Sequence, residues 1–114
     1  MSEGHAQQMP SPRRKLTISD IQRVVREFYG LQVGELTGHS RARAVSWPRQ
    51  VAMALARRRT NLSLPQIGQR FGGRDHTTVI HALRAVEDRT RADCNHAADV
   101  LELDRRLSLE LGAV

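Results

Sequence analysis

The residues best suited to chemistry lie in Phe71-Gly72-Gly73-Arg74-Asp75-His76-Thr77-Thr78-Val79, which follows Leu64-Pro65-Gln66-Ile67-Gly68. Their order predicts the end of one helix, a glycine turn, and a second helix opening on small polar residues. Hydrogen-bonding side chains at a leading helix tip suit the reading of base edges in a DNA major groove. Thr77 and Thr78 are mediocre helix formers, so propensity alone does not account for two of them. A plainer use is also open, since Asp and Thr serve well at helix starts and His76 could simply be solvated.

A tip of this kind needs a field around it. The chain has 114 residues, enough for one domain with a modest core, and a net charge of +6. Only one of its eighteen basic residues is lysine; arginine suits bidentate phosphate and guanine contacts, although a codon bias would also raise its count. Placement says more than number. Residues 41–91 carry eleven basic and three acidic groups, whereas residues 92–114 carry two basic and five acidic. The middle therefore holds the basic excess, as a nucleic-acid-binding face requires.

The elements that position the tip follow from periodicity. Residues 1–16 contain Pro10 and Pro12, lack periodicity and read as a disordered tail ending in Arg13-Arg14-Lys15; residues 17–114 form the domain. Ser19 and Gln22 predict a capping box, followed by the stripe Ile21, Val24, Val25, Phe28 and Tyr29 and a stop at Gly30. Val33 to Leu36 could form one helical turn, and His39 to Arg43 read as a loop. Ser46 or Trp47 would then cap a helix with Pro48 at its first position, buried through Val51, Ala52, Leu55 and Ala56 and closed by Arg57-Arg58-Arg59. Ser63 and Gln66 predict a second capping box, on a short helix burying Leu64, Ile67 and Phe71. Asp75 would cap the following helix, from His76 to about Glu87, with Val79, Leu83 and Val86 inward. A last helix, from about Ala97 to Leu111, carries Val100, Leu103, Leu107 and Leu111 on one side. No segment alternates with period two, so the expected fold is all-α, a small helical bundle containing a helix-turn-helix.

Metal and catalytic chemistry find little support. His76 and His81 fall on different sides of a helix, and Cys94 and His96 lack partners at zinc spacing. No nucleophile has an oriented base, so neither an enzyme nor a cofactor is expected. The single cysteine excludes an internal disulfide framework. The N-terminus lacks a secretory apolar region, and no apolar run approaches the roughly 20 residues needed to span a bilayer. A soluble, cytoplasmic protein is expected.

Four segments together resemble a known family. Arg41-Ala42-Arg43-Ala44-Val45, Pro48-Arg49-Gln50-Val51-Ala52-Met53, Ser63-Leu64-Pro65-Gln66-Ile67-Gly68 and Phe71 to Val79 are similar to the C-terminal duplex-binding domain of the bacterial chromosomal replication initiator DnaA. Arg74-Asp75-His76-Thr77-Thr78 matches that family's signature. The resemblance is dense over residues 40–87, looser back to about 17 and weak after 90. It implies a Trp-repressor-like helical domain whose second helix lies in the major groove of a short initiator box. Asp75, His76 and Thr77 match its base-reading positions, and Leu64 and Pro65 a nearby apolar contact. Arg41 matches an arginine that enters the adjacent minor groove, where narrow A·T-rich DNA concentrates negative potential. Arg43, Arg49, Gln50, Arg57, Arg74 and Thr78 are the matching candidates for phosphate contact. Trp47 departs from the family, which often has a basic residue there; packing over the helix start is its expected role.

The full initiator also carries an ATPase module with a G-x-x-x-x-G-K-[ST] loop. Lys15 is the only lysine here, and no glycine-rich loop precedes it. The resemblance thus implies an address reader standing apart from its motor. Its expected partner is double-stranded DNA, bound as one monomer per site, with a separate replication ATPase as a further partner. The expected outcome is regulation of replication initiation or of transcription. The alternative is a protein-interaction module that uses the helix-turn-helix surface or the acidic last helix.

Overall fold

The computed structural model describes residues 15–111; the predicted tail, apart from Lys15 and Leu16, lies outside them. Leu16 does not behave as tail, because it is buried together with Ile18. Among the described residues there are five helices and no strand: α1 Ile18–Tyr29, α2 Arg43–Arg59, α3 Leu64–Arg70, α4 His76–Ala92 and α5 Cys94–Glu110. The all-α expectation holds.

The central helix, α2, packs against α1, α3 and α4, while α5 covers α4 and α1. Their shared core includes Ile21, Val25, Val51, Met53, Leu55, Ile67, Phe71, Val79, Leu103 and Leu107. Each such side chain contributes about 1.5–3 kcal/mol by leaving water, which ties the three basic-segment helices to the flanking pair.

Three boundaries differ from the expected ones, each for a physical reason. The capping box of α1 is Thr17 with Asp20, not Ser19 with Gln22: the Asp20 amide donates to the Thr17 hydroxyl at 3.1 Å, and the Thr17 amide to the Asp20 carboxylate at 3.0 Å. The earlier start keeps buried Ile18 in helical phase with Ile21 and Val25. Gln22 is used elsewhere, its side-chain amide donating to the Arg70 carbonyl at 3.0 Å and so satisfying the end of α3.

The second difference is at α2, which starts at Arg43 rather than Pro48. Val45 and Trp47 are both buried, and their burial favours a further helical turn before the proline. The amides of Val45 and Ser46 bond the Ala42 carbonyl at 2.9 and 2.8 Å. Pro48 removes the partner of the Ala44 carbonyl, but Ala44 is exposed, so water can serve it. Trp47 is packed, as expected, but within α2 and against other helices rather than over a helix start, its ring 4.7 Å from that of His96 and beneath the Arg89 guanidinium.

At the C-terminal side the expected linker shrinks to one residue. Asp93, in extended conformation, ends α4 and caps α5 by accepting from the Asn95 amide at 2.8 Å. Nothing between Glu87 and Ala92 breaks a helix, and an i,i+4 pair between Arg91 and Glu87 supports the extra turn. Val33 to Leu36 form turns rather than a helix, with Leu36 buried.

Candidate nucleic-acid interface

The turn between α3 and α4 is fixed by close approach. The Arg74 amide bonds the Gly68 carbonyl at 2.8 Å, and a Cβ on Gly68 would lie only 2.0 Å from the Arg74 carbonyl oxygen. Gly72 has φ +85°, and a Cβ there would meet the Thr37 carbonyl oxygen at 2.2 Å. Side chains at these two positions are excluded by backbone, which leaves one orientation of α4 on α3. The Ser63–Gln66 capping box forms as expected, with bonds of 2.8 and 3.2 Å, and Pro65 lies in the first turn.

That geometry presents the tip of α4 to solvent. Asp75, His76, Thr77 and Thr78 are all exposed. Asp75 occupies the N-cap position, yet its side chain makes no capping bond. Its carboxylate instead lies 3.1 Å from the His76 Nδ1, and the Asp75 side chain is 67% exposed. The expected cap is therefore one of position only. A carboxylate in this place that does not cap its helix keeps acceptor capacity for a ligand, and the positive end of the helix dipole lies beside it. Pro65 is exposed and Leu64 half-buried at the start of α3.

The expected phosphate-holding residues, taken with the minor-groove candidate Arg41, separate into two groups. Arg43, the first residue of α2, and Arg41 just before it are exposed, with no ion-pair or hydrogen-bond partner among the described residues. Arg57 is exposed at the other end of α2, making one long bond of 3.4 Å to the Leu62 carbonyl. Gln50 is half-buried beside the recess described below.

Arg49 is placed differently from Arg43 and Arg57. It is only 6% exposed, and its guanidinium donates to the carbonyls of Leu36, Ser40 and Glu35 at 3.0, 3.0 and 3.2 Å. Burial, together with the neighbouring Arg74, pushes its pKa below the ordinary arginine value. Its donors hold the loop that leads into Arg41, and the side chain also lines the recess described below. Arg74 is partly spent in the same way, on the carbonyls of Phe71 and Gly38, and burial lowers its pKa as well. The two arginines thus tie the segment before Arg41 to α2 and to the glycine turn.

Between α2 and α4 lies a recess of about 180 Å³ lined by Ser46, Gln50, Arg74, Thr78 and His81 among others. Ser46 and His81 were not expected at this surface. Their spacing carries the signal: Ser46 and Gln50 are i,i+4 on α2, and Thr78 and His81 are i,i+3 on α4. Among the described residues, no three His, Cys, Asp or Glu side chains gather as metal ligands would. None of the helices is long and apolar enough to cross a membrane.

A rigid helix pair with an exposed polar tip, flanked by uncommitted arginines, defines a helix-turn-helix domain of the DNA-binding class. The family profile of the bacterial dnaA protein helix-turn-helix matches residues 18–86, and the chain belongs to that family. It is 50% identical over 94 residues to the chromosomal replication initiator protein DnaA of Cereibacter sphaeroides, an alignment covering 82% of this chain and 20% of that protein. The DnaA protein of Ruegeria sp. is 48% identical over 94 residues, with the same coverage. That of Mesorhizobium japonicum is 50% identical over 104 residues, covering 91% of this chain and 21% of the relative. The chain thus spans about a fifth of the length of these relatives.

Proposed function

We propose that this domain binds duplex DNA sequence-specifically at initiator-type boxes, one monomer per box, and thereby regulates replication initiation or transcription. The supporting observation is the tip of α4, where Asp75, His76 and Thr77 are exposed and the Asp75 carboxylate is not used as a helix cap. In the major groove the Asp75 carboxylate accepts from cytosine N4, and the Thr77 methyl packs on a thymine methyl. His76 offers a ring nitrogen to a neighbouring base edge. Leu64 and Pro65 give the apolar contact beside it, and Arg41 enters the adjacent minor groove.

Register is set by groups that touch backbone rather than bases. Arg43, Gln50, Arg57 and Thr78 serve there, with Arg74 adding positive potential from the turn. Ser46 and His81 join them at the recess. Arg49 acts one step back, by fixing the loop from which Arg41 reaches out.

A gel shift with a duplex carrying an initiator-type box and with its scrambled counterpart, at one fixed salt concentration, tests this reading. The expected result is a shift of the box duplex at protein concentrations that leave the scrambled one free. Equal binding to both, or none, would sink it.

A further inference from the structure

We infer that the groove between the C-terminal halves of α2 and α4 and the first half of α5 docks an acidic, amphipathic helix of a partner protein. The groove has a volume of about 640 Å³ and an apolar floor that includes Ala54, Leu83 and Val86. Leu101, on its α5 wall, is 68% exposed. A volume of this size takes the few apolar anchors that one face of a helix presents at i, i+3, i+4 and i+7. Arg57 and Arg58 stand on the rim and meet no carboxylate among the described residues. Arg91, also on the lining, is already paired with Glu87 at 3.0 Å. Two unneutralised arginines above an apolar floor call for acidic groups around an apolar face.

Other occupants fit less well. A nucleic-acid backbone would gain nothing from Leu83, Val86 and Leu101. A second copy of this chain would have to offer α5 as its acidic helix, but Glu102 is held by Arg105 and Arg106 and Asp104 by Arg59. Residues 1–14 hold Arg13 and Arg14 against Glu3, the wrong sign. Leu111, the last described residue, lines a different recess beside Lys15, Arg59 and Arg70. The inference does not depend on the DNA reading, and Arg58 rather than Arg57 is the residue to test because Arg57 has a proposed role there.

The probe is a fluorescein-labelled designed peptide, helical, with leucines at i, i+3, i+4 and i+7 and glutamates elsewhere. A control peptide of the same composition spreads its leucines around the helix. Fluorescence anisotropy on the full chain should show saturable binding of the patterned peptide and roughly tenfold or greater weakening for the control. Leu101→Glu and Arg58→Glu, both at exposed positions, should each weaken it by a similar factor while circular dichroism is unchanged. No binding of the patterned peptide, equal binding of both peptides, or unaltered affinity in both variants overturns the inference. Sedimentation equilibrium covers the remaining occupant: a dimer abolished by Leu101→Glu would assign the groove to a second copy and overturn the partner helix.

Discussion

The arginines of α5 and those around the tip of α4 are chemically identical and differently employed. On α5, Arg105 and Arg106 both reach Glu102, and the acidic residues Asp104 and Glu110 meet Arg59 and Arg23. Most charge there is paired within the fold. Around the tip and along α2, Arg41 and Arg43 have no such partner among the described residues, Arg57 has one long bond to a carbonyl, and Arg49 and Arg74 are bonded to backbone carbonyls. The comparison teaches that a carboxylate cancels an arginine's field, whereas a carbonyl positions the side chain and leaves its full charge. The region around α4 therefore keeps its positive potential even where its guanidiniums are bonded.

The largest effect should come from the turn that orients the tip. Gly72→Ala adds a Cβ 2.2 Å from the Thr37 carbonyl and forces a side chain into a positive-φ conformation. Strain and overpacking together should remove about 3 kcal/mol of stability, read by urea denaturation. A loss of only a few tenths would mean that the turn is looser than its contacts indicate.

Next comes the pair that separates the two kinds of basic residue on α2. Arg49→Met should destabilise the fold by about 2 kcal/mol, because three carbonyls lose a charged donor. Arg57→Ala should leave stability within about 0.5 kcal/mol. It should instead weaken binding to every duplex alike and reduce the salt slope by about 1. If the two variants exchanged these behaviours, Arg49 would be the phosphate contact after all.

Thr77→Ala addresses the tip itself. It should cost about 1–3 kcal/mol of discrimination between box and mismatched duplexes, measured by competition binding, with stability little changed because Thr77 is exposed. A uniform loss across sequences would move Thr77 from reader to positioner.

The smallest effect lies on α5. Hydrogen bonds from Arg105, and then Arg106, hold the Glu102 carboxyl down at about 2, against an ordinary 4.5. A depressed carboxylate stabilises the fold above its unfolded pKa. That contribution should fade as pH falls from about 4.5 towards 2 and be constant above 5. Titration of Glu102 by NMR checks the midpoint, and Glu102→Gln should flatten that part of the acid-stability curve while leaving DNA binding unchanged.

Much of this was legible in the residues, and what was not has a common cause. The Ser63–Gln66 box, the Gly72-Gly73 turn and the apolar stripes of α1, α4 and α5 are local patterns, and they form as expected. Signals that depend on distant neighbours failed. Ser19 and Gln22 have the spacing of a capping box, but Gln22 is drawn to the end of α3, 48 residues away. Pro48 suits a helix start, but buried Val45 and Trp47 extend the helix past it. Arg49 is surrounded by basic residues in sequence, and only the folded loop of residues 35–40 reveals the carbonyls that its guanidinium bonds. Site residues supplied by exposed polar positions at the tip of α4 could be read directly. Those whose role depends on what lies across α2 could not.

The central claim is that the exposed tip of α4 reads bases, with the surrounding arginines supplying sequence-independent affinity. Its most direct test is the ratio of affinities for an initiator-type box and a scrambled duplex, measured by fluorescence anisotropy at physiological salt. The account predicts a ratio of at least about 10³ in favour of the box, as specific readers show over their own non-specific binding. A ratio near one, with both affinities falling together as salt rises, would contradict it and leave a basic surface that holds DNA without reading it.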